Sequence, residues 1–163
     1  MDHLSATLFL GVGATAVMDC WGYIRQPLLG VAPPNYGLVG RWVAHMFRGR
    51  IRHDAIGGAA PVRGESLLGW AVHYLTGIAF AALLIGLCGA SWLAQPTLGP
   101  ALGVGLATVA APFLLMQPAM GAGIAASRTP RPNAARLQSL ITHAVFGLGL
   151  YLAATVAQLF QLI

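Results

Sequence analysis

An all-α, integral membrane bundle of four helices is the fold this sequence predicts, and three observations carry it. Of its 163 residues 57% are hydrophobic and only 8% are charged, against roughly 25% charged in soluble domains. So few charges cannot cover a water-soluble protein of this size, whereas a surface facing lipid needs none. Four stretches, about 5–23, 67–88, 98–126 and 136–162, each offer the ~20 mostly apolar residues that a bilayer crossing takes. Finally, the nine basic residues, all Arg, are confined to the connections between spans 1 and 2 and between spans 3 and 4, including the entry to span 4. The whole chain, 1–163, reads as a single transmembrane domain.

The first span follows "MDHLSA", which carries no Arg or Lys, so the basic leader of a signal peptide is missing. "VMDC" has the outline of a lipoprotein cleavage box, but Asp19 stands where a small residue belongs, so the helix is expected to be retained. The cytoplasmic loop 24–66 comes next, holding Arg25, Arg41, Arg48, Arg50, Arg52 and Arg63. Within it, Val39, Trp42, Val43, Met46 and Phe47 recur at helical spacing. Arg41, His45, Arg48 and Arg52 fall on the opposite side. This predicts an amphipathic helix over about 38–52 lying on the membrane surface, its basic face toward anionic lipid headgroups; the alternative is a solvated loop.

The second and third spans are joined by a short segment without Arg or Lys. The third contains Pro112 and Pro118, which predict a kink or tilt. "SRTPRPNAAR" (127–136) adds Arg128, Arg131 and Arg136 before the fourth span. It reads as a tight loop with Asn133 as helix N-cap; the alternative is a phosphate held near the helix start. Because every Arg falls on one side, the positive-inside rule assigns that side to the cytoplasm and both termini to the periplasm. The same assignment explains the net charge of +5 without nucleic acid, since no basic domain stands apart from the spans. Cys20 and Cys88 would lie near opposite faces, beyond disulfide reach, and read as packing residues.

Short strings recur between spans. "LGVGATAV" (10–17) matches "LGVGLATV" (102–109), and "HYLTGIAF" from His73 matches "HAVFGLGL" from His143. Two hairpins would then be parallel repeats about an axis along the membrane normal, with chance similarity between apolar segments as the alternative. Asp19 has no acidic counterpart in the third span.

Each span brings a polar group to the cytoplasmic third of the bilayer. At about 1.5 Å per residue, Asp19, His73, His143 and Gln117 sit roughly 6 to 13 Å inside their helix ends. Facing lipid would be costly, so they are expected to turn inward as one layer. Stripes of small residues share their faces, such as Gly69, Gly77 and Ala81 beside His73. These allow close helix approach or leave room for a ligand.

Several readings fit such a layer. A hydrogen-bonded network fixing the helices would make the protein a structural scaffold subunit. A site or pathway for a proton, metal ion or small solute would use Asp19, His73 and His143, which are also the candidate metal ligands. Bis-histidine haem b would use His73 and His143, with Gly77 and Gly147 admitting the macrocycle. A lipid-acting membrane enzyme is the remaining alternative, with Glu65 its modest candidate acid; Glu65 reads better as a partner of Arg63 or a helix cap. No phosphate-binding loop, nucleophile elbow or paired-cysteine metal box is present. The favoured expectation is permeation of a small solute, metal ion or proton, or an accessory role. Four helices of this size seldom enclose a full pathway, so a homo-oligomer is expected.

Through "YGLVGRWVAHMFRGRIRH", "PVRGESLLGWAVHYLTGIAFA" and "MQPAMGAGIAASRTPRPNAARLQSLITHAVFGLGLYLAA", the chain resembles a bacterial family of small membrane proteins, catalogued as domain of unknown function (DUF) 2938. The resemblance implies a multi-pass membrane protein of bacteria and brings no activity, substrate or catalytic residue with it.

Overall fold

A computed structural model describes residues 3–160, so Asp2 and the last two residues of the fourth predicted span, Gln161 and Leu162, lie outside the described residues. All regular structure among the described residues is helical. The order is α1 (His3–Leu29), α2 (Tyr36–Met46), a 3-10 turn (Ile56–Gly58), α3 (Glu65–Ala94), α4 (Leu98–Ala107), a π-helical turn (Pro112–Met116), α5 (Gln117–Ala119), a second 3-10 turn (Ile124–Ala126) and α6 (Pro132–Leu159). Among the described residues, four segments are long and apolar enough to cross a membrane: His3–Leu29, Glu65–Ala94, Leu98–Ala119 and Pro132–Leu159.

The first span is six residues longer at its C-terminal end than the apolar run suggests, because Leu28 and Leu29 continue the helix beyond Arg25. Arg25 is therefore a helical residue, 6% exposed, not a loop residue. Its guanidinium donates to Thr142 Oγ1 and to the Ala32 carbonyl, both at 3.2 Å. The second span changes direction at Gly89, whose φ of 74° is open to glycine but not to most residues; this is one residue past the predicted end at 88.

The third span departs most from expectation. Pro112 has no N–H, so the carbonyl one turn earlier loses its partner and the ladder shifts. The Gln117 N–H then reaches back five residues to the Pro112 carbonyl, the π register. Helix stops at Ala119 rather than near 126. Beyond it, Gly121 and Gly123 adopt φ of 95° and 76°, and Ala125 and Ala126 adopt 47° and 58°. At the fourth span, Pro132 takes the first helical position, where its missing N–H costs nothing. Asn133 is thus inside the helix, its Oδ1 accepting from Arg136 at 3.1 Å, rather than capping it.

The chain divides into two compact units. The first holds the residues up to Pro33, Tyr74–Thr108 and those from Ile141 onward; the second holds Pro34–His73 and Val109–Leu140. In the first unit, Leu10, Ala14, Ala81, Leu84, Phe146, Leu150 and Ala154 form a buried apolar core. Its helices approach through glycine: a methyl at Gly105 would lie 2.5 Å from Gly147 Cα, and one at Gly77 would strike the Thr15 hydroxyl. Such contacts replace the hydrophobic drive that is absent between helices in lipid.

In the second unit, α2 starts at Asn35, whose Oδ1 accepts from the Gly37 N–H at 3.0 Å. It crosses the first turns of α3 where Gly40 and Gly69 put the backbones in contact. The helix ends at Met46 instead of near 52, because Gly49, at φ 80°, closes a turn. Arg48 and Arg52 are consequently off the helix, and the continuous basic face of Arg41, His45, Arg48 and Arg52 does not form.

Candidate functional site

Of the four residues expected to share a polar layer, two lie in the first unit and two in the second. Asp19, on α1, accepts a hydrogen bond from the Tyr74 hydroxyl at 3.1 Å. His143, on α6, lies 2.9 Å from Thr108 Oγ1 through Nδ1. The Thr108 hydroxyl already donates to the Gly105 carbonyl at 2.6 Å, so Nδ1 must be the donor and carry the proton. Both pairs belong to the first unit.

His73 and Gln117 belong to the second unit. His73 stacks on Tyr36 with ring centroids 4.0 Å apart and meets Trp70 edge-on at 5.8 Å. Gln117 Oε1 is buried and accepts no hydrogen bond among the described residues. Among the described residues, no three His, Cys, Asp or Glu side chains are grouped so as to hold a metal ion.

A denser polar cluster lies on and below α2. Arg41 grips Glu65 with two contacts, Nη2 to Oε1 at 2.7 Å and Nε to Oε2 at 2.8 Å. The pair is largely shielded, with side-chain exposures of 13% and 19%, and the carboxylate raises the guanidinium's already high pKa further. Arg41 Nη1 also faces the carbonyls of Ile56, Gly57 and Ala59 at 3.4, 3.3 and 3.1 Å. Glu65 Oε2 in turn accepts from the Val62 N–H at 2.8 Å, capping α3. The predicted partner, Arg63, is not the one it uses.

His45 is buried, 7% exposed, against the interfacial role that its spacing predicted. Its Nδ1 is 2.8 Å from His53 Nε2, and its Nε2 is 3.1 Å from the Ala60 carbonyl. His53 is 5% exposed, and its Nδ1 finds no hydrogen-bond partner among the described residues. Its pKa is lowered, first by burial and then by the positive charge of Arg50 and by His45, against an opposing pull from the Ala119 carbonyl and Asp54.

His53 also lines a cavity of about 460 Å³, together with Arg50, Arg52, Asp54, Ser127 and Arg128. Backbone pairing frames it. The His53 N–H bonds to the Ala119 carbonyl at 2.8 Å and the Ile56 N–H to Met120 at 3.0 Å, while Arg128 N–H reaches Ala122 at 2.8 Å. Gly121 passes so close to the Asp54 carbonyl that no side chain would fit there, and a methyl at Gly123 would strike Ser127 Oγ. The left-handed backbone at Ala125 and Ala126 is held from outside, the Ala125 carbonyl accepting from Arg136 Nε at 2.8 Å. Such strain persists only where surrounding contacts enforce it.

The sequence profile of the family described as "Protein of unknown function (DUF2938)" matches residues 8–157. The chain belongs to the DUF2938 family. No curated protein and no solved structure matches it. In this DUF2938 member the sequence points to the residues of the predicted spans, and the cavity is a feature that only the fold brings together. Its signals are the "RGRIRHD" and "SRTPR" strings, whose Arg read in sequence as marks of membrane orientation and a headgroup-facing helix, with a phosphate near the start of the fourth span as the alternative.

Proposed function

We propose that this DUF2938 protein is a multi-pass protein of the bacterial inner membrane that moves protons or a small solute, or assists a partner that does. In this reading the Arg-bearing segments face the cytoplasm, both termini face the periplasm, and anionic headgroups neighbour the Arg-rich side. Asp19, His73, Gln117 and His143 are the working residues, and copies of the chain assemble as a homo-oligomer.

One observation carries the reading. Two ionisable side chains on span-length helices, Asp19 and His143, each face a hydroxyl, Tyr74 at 3.1 Å and Thr108 at 2.9 Å. A carboxylate and an imidazole can each take up and release a proton: Asp19 beside the Tyr74 hydroxyl that donates to it, and His143 at Nε2, since its Nδ1 already donates to Thr108. Ionisable groups at membrane depth are costly, and function is the usual reason for keeping them.

The test is proton flux into liposomes carrying the purified protein and a trapped pH-sensitive dye. Wild type should relax an imposed pH difference faster than empty liposomes, and Asp19→Asn and His143→Gln should both lose that flux while keeping the wild-type melting temperature. Wild-type flux equal to that of empty liposomes would remove the proton reading. Variants that keep the flux but melt earlier would leave these pairs as packing contacts.

A further inference from the structure

The cavity beside α2 is lined by three guanidinium groups, Arg50, Arg52 and Arg128, and by a single carboxylate, Asp54. None of the three Arg side chains makes a hydrogen bond or ion pair among the described residues, in contrast to Arg41, which is saturated by Glu65 and three carbonyls. The Ser127 hydroxyl lines the same cavity, also without a hydrogen bond among the described residues. These are donors without acceptors, collected around an open volume.

The histidine pair adds a second observation. His45 Nε2 faces the Ala60 carbonyl, which can only accept, so that nitrogen carries hydrogen. A neutral His45 then presents a bare Nδ1 to His53, and His53 Nε2 must be the donor across the 2.8 Å contact. This leaves His53 Nδ1 as a buried lone pair with no partner. An unmatched buried acceptor is unfavourable. Adding a proton there turns it into a donor, useful only if an acceptor stands nearby.

We propose that this cavity is a proton-linked anion site for a phosphate group, in which Arg50, Arg52 and Arg128 bind the oxygens, Ser127 donates its hydroxyl, and His53 takes up a proton at Nδ1 as the anion enters. Guanidinium groups suit phosphate because their planar forks give paired, charge-assisted hydrogen bonds. The volume, about 460 Å³, lies within the usual range for small-molecule sites and leaves room for the organic part of a phosphate ester. Burial, Arg50 and His45 oppose the proton on His53, while Asp54 and the Ala119 carbonyl favour it. A bound dianion reverses the balance by offsetting the three guanidinium charges. Anion and proton therefore enter together. A phospholipid headgroup and a soluble phosphate ester share this chemistry.

The full-length protein in neutral detergent supplies the test, with sulfate as first probe because its charge is constant across the useful pH range. Calorimetry should give a single saturable site that tightens from pH 8 to pH 6 by up to about tenfold per pH unit, the limit for one linked proton. Arg128→Gln, at an exposed position, should weaken sulfate by about tenfold or more, the worth of one charge-assisted contact. Arg131→Gln, three residues on and outside the cavity, should bind as wild type. His53→Gln should keep binding but lose the pH dependence; if it fails to fold, Arg128→Gln and the wild-type pH profile still decide. No saturable sulfate binding, an affinity indifferent to pH, or equal losses in the Arg128 and Arg131 variants would overturn the proposal. Nanodiscs then separate the sources. Inorganic phosphate excluded by phosphatidylglycerol but not by phosphatidylcholine identifies a headgroup site, and phosphate bound in both identifies a soluble ester.

Discussion

Where α4 meets α6 in the first unit, Gly105 and Gly147 bring two backbones together, and where α2 meets α3 in the second unit Gly40 and Gly69 do the same. Around the first crossing lie Leu, Ala and Phe side chains with few polar demands. Around the second lies an irregular run from Phe47 to Gly64, whose carbonyls need donors. Arg41 supplies Ile56, Gly57 and Ala59, Trp42 Nε1 supplies Ile51 at 2.8 Å, and His45 supplies Ala60. The same glycine device thus serves two kinds of cohesion. The first unit depends on shape, because apolar helices in lipid gain little from hydrophobic burial against one another. The second depends on satisfying backbone groups that no regular helix satisfies. Substitutions that add bulk should hurt the first, and changes in charge or protonation should hurt the second.

The largest effect is expected from bulk at the first crossing. In Gly105→Leu the Cβ alone would fall 2.5 Å from Gly147 Cα and 2.8 Å from the His143 carbonyl. Both are backbone atoms, so the helices must separate. Overpacking costs about 1–3 kcal/mol where side chains can adjust, and here they cannot, so the loss should reach or exceed the upper figure. Gly103→Leu, two residues earlier and with open space around it, should be neutral or slightly stabilising, since a helical Gly gives up roughly 0.5–1 kcal/mol against Ala. Thermal melting of both variants in the same detergent checks this. Equal behaviour would mean the crossing is not close-packed.

How far sequence alone reaches follows the same division. The spans were legible because apolar length is a local property, and the kink near Pro112 was legible because proline acts on its own turn. The Arg41–Glu65 pair was not, being separated by 24 residues with Arg63 a nearer candidate. The small-residue stripe beside His73 allowed either close helix approach or room for a ligand, and at Gly69 and Gly77 the structure shows close approach. The matching His-x-x-x-Gly strings could not reveal that His143 would meet Thr108 while His73 would stack on Tyr36. The cavity was hidden for a further reason. It needs 50–54 beside 118–128, which follows from helix ending at Ala119 and from left-handed turns that include two alanines. No composition rule forecasts alanine there.

A smaller and more local effect is expected in the second unit from Glu65→Gln. The change keeps the shape but removes the anion facing Arg41, leaving that guanidinium with carbonyls only. Hydrogen exchange at amides around 56–60 should quicken, because Arg41 holds those carbonyls through the same side chain. Amides of α4 and α6 in the first unit should exchange as in wild type, and the melting temperature should fall by less than in Gly105→Leu. Acceleration spread evenly over both units would erase the distinction between shape and polar cohesion.

The smallest effect, graded rather than abrupt, is the pH dependence of the same unit. Folding lowers the pKa of His53, chiefly through burial and then through Arg50 and His45, so the folded chain holds this imidazole neutral. As pH falls, the unfolded chain, with an ordinary His pKa near 6.5, takes the proton first. Stability from this group is therefore complete above about pH 6.5 and is lost progressively below it. Melting curves between about pH 8 and pH 5 should slope downward toward acid, and His53→Gln should be flatter over that window, above the ordinary carboxylate range. Sulfate gives the slope a second reading. If an anion draws the proton onto Nδ1, sulfate should raise the melting temperature more at pH 6 than at pH 8, partly cancelling the acid slope in wild type and not in the variant. A slope unchanged by His53→Gln would assign the titration to another histidine, and the second unit's cohesion would then owe little to the protonation of this pair.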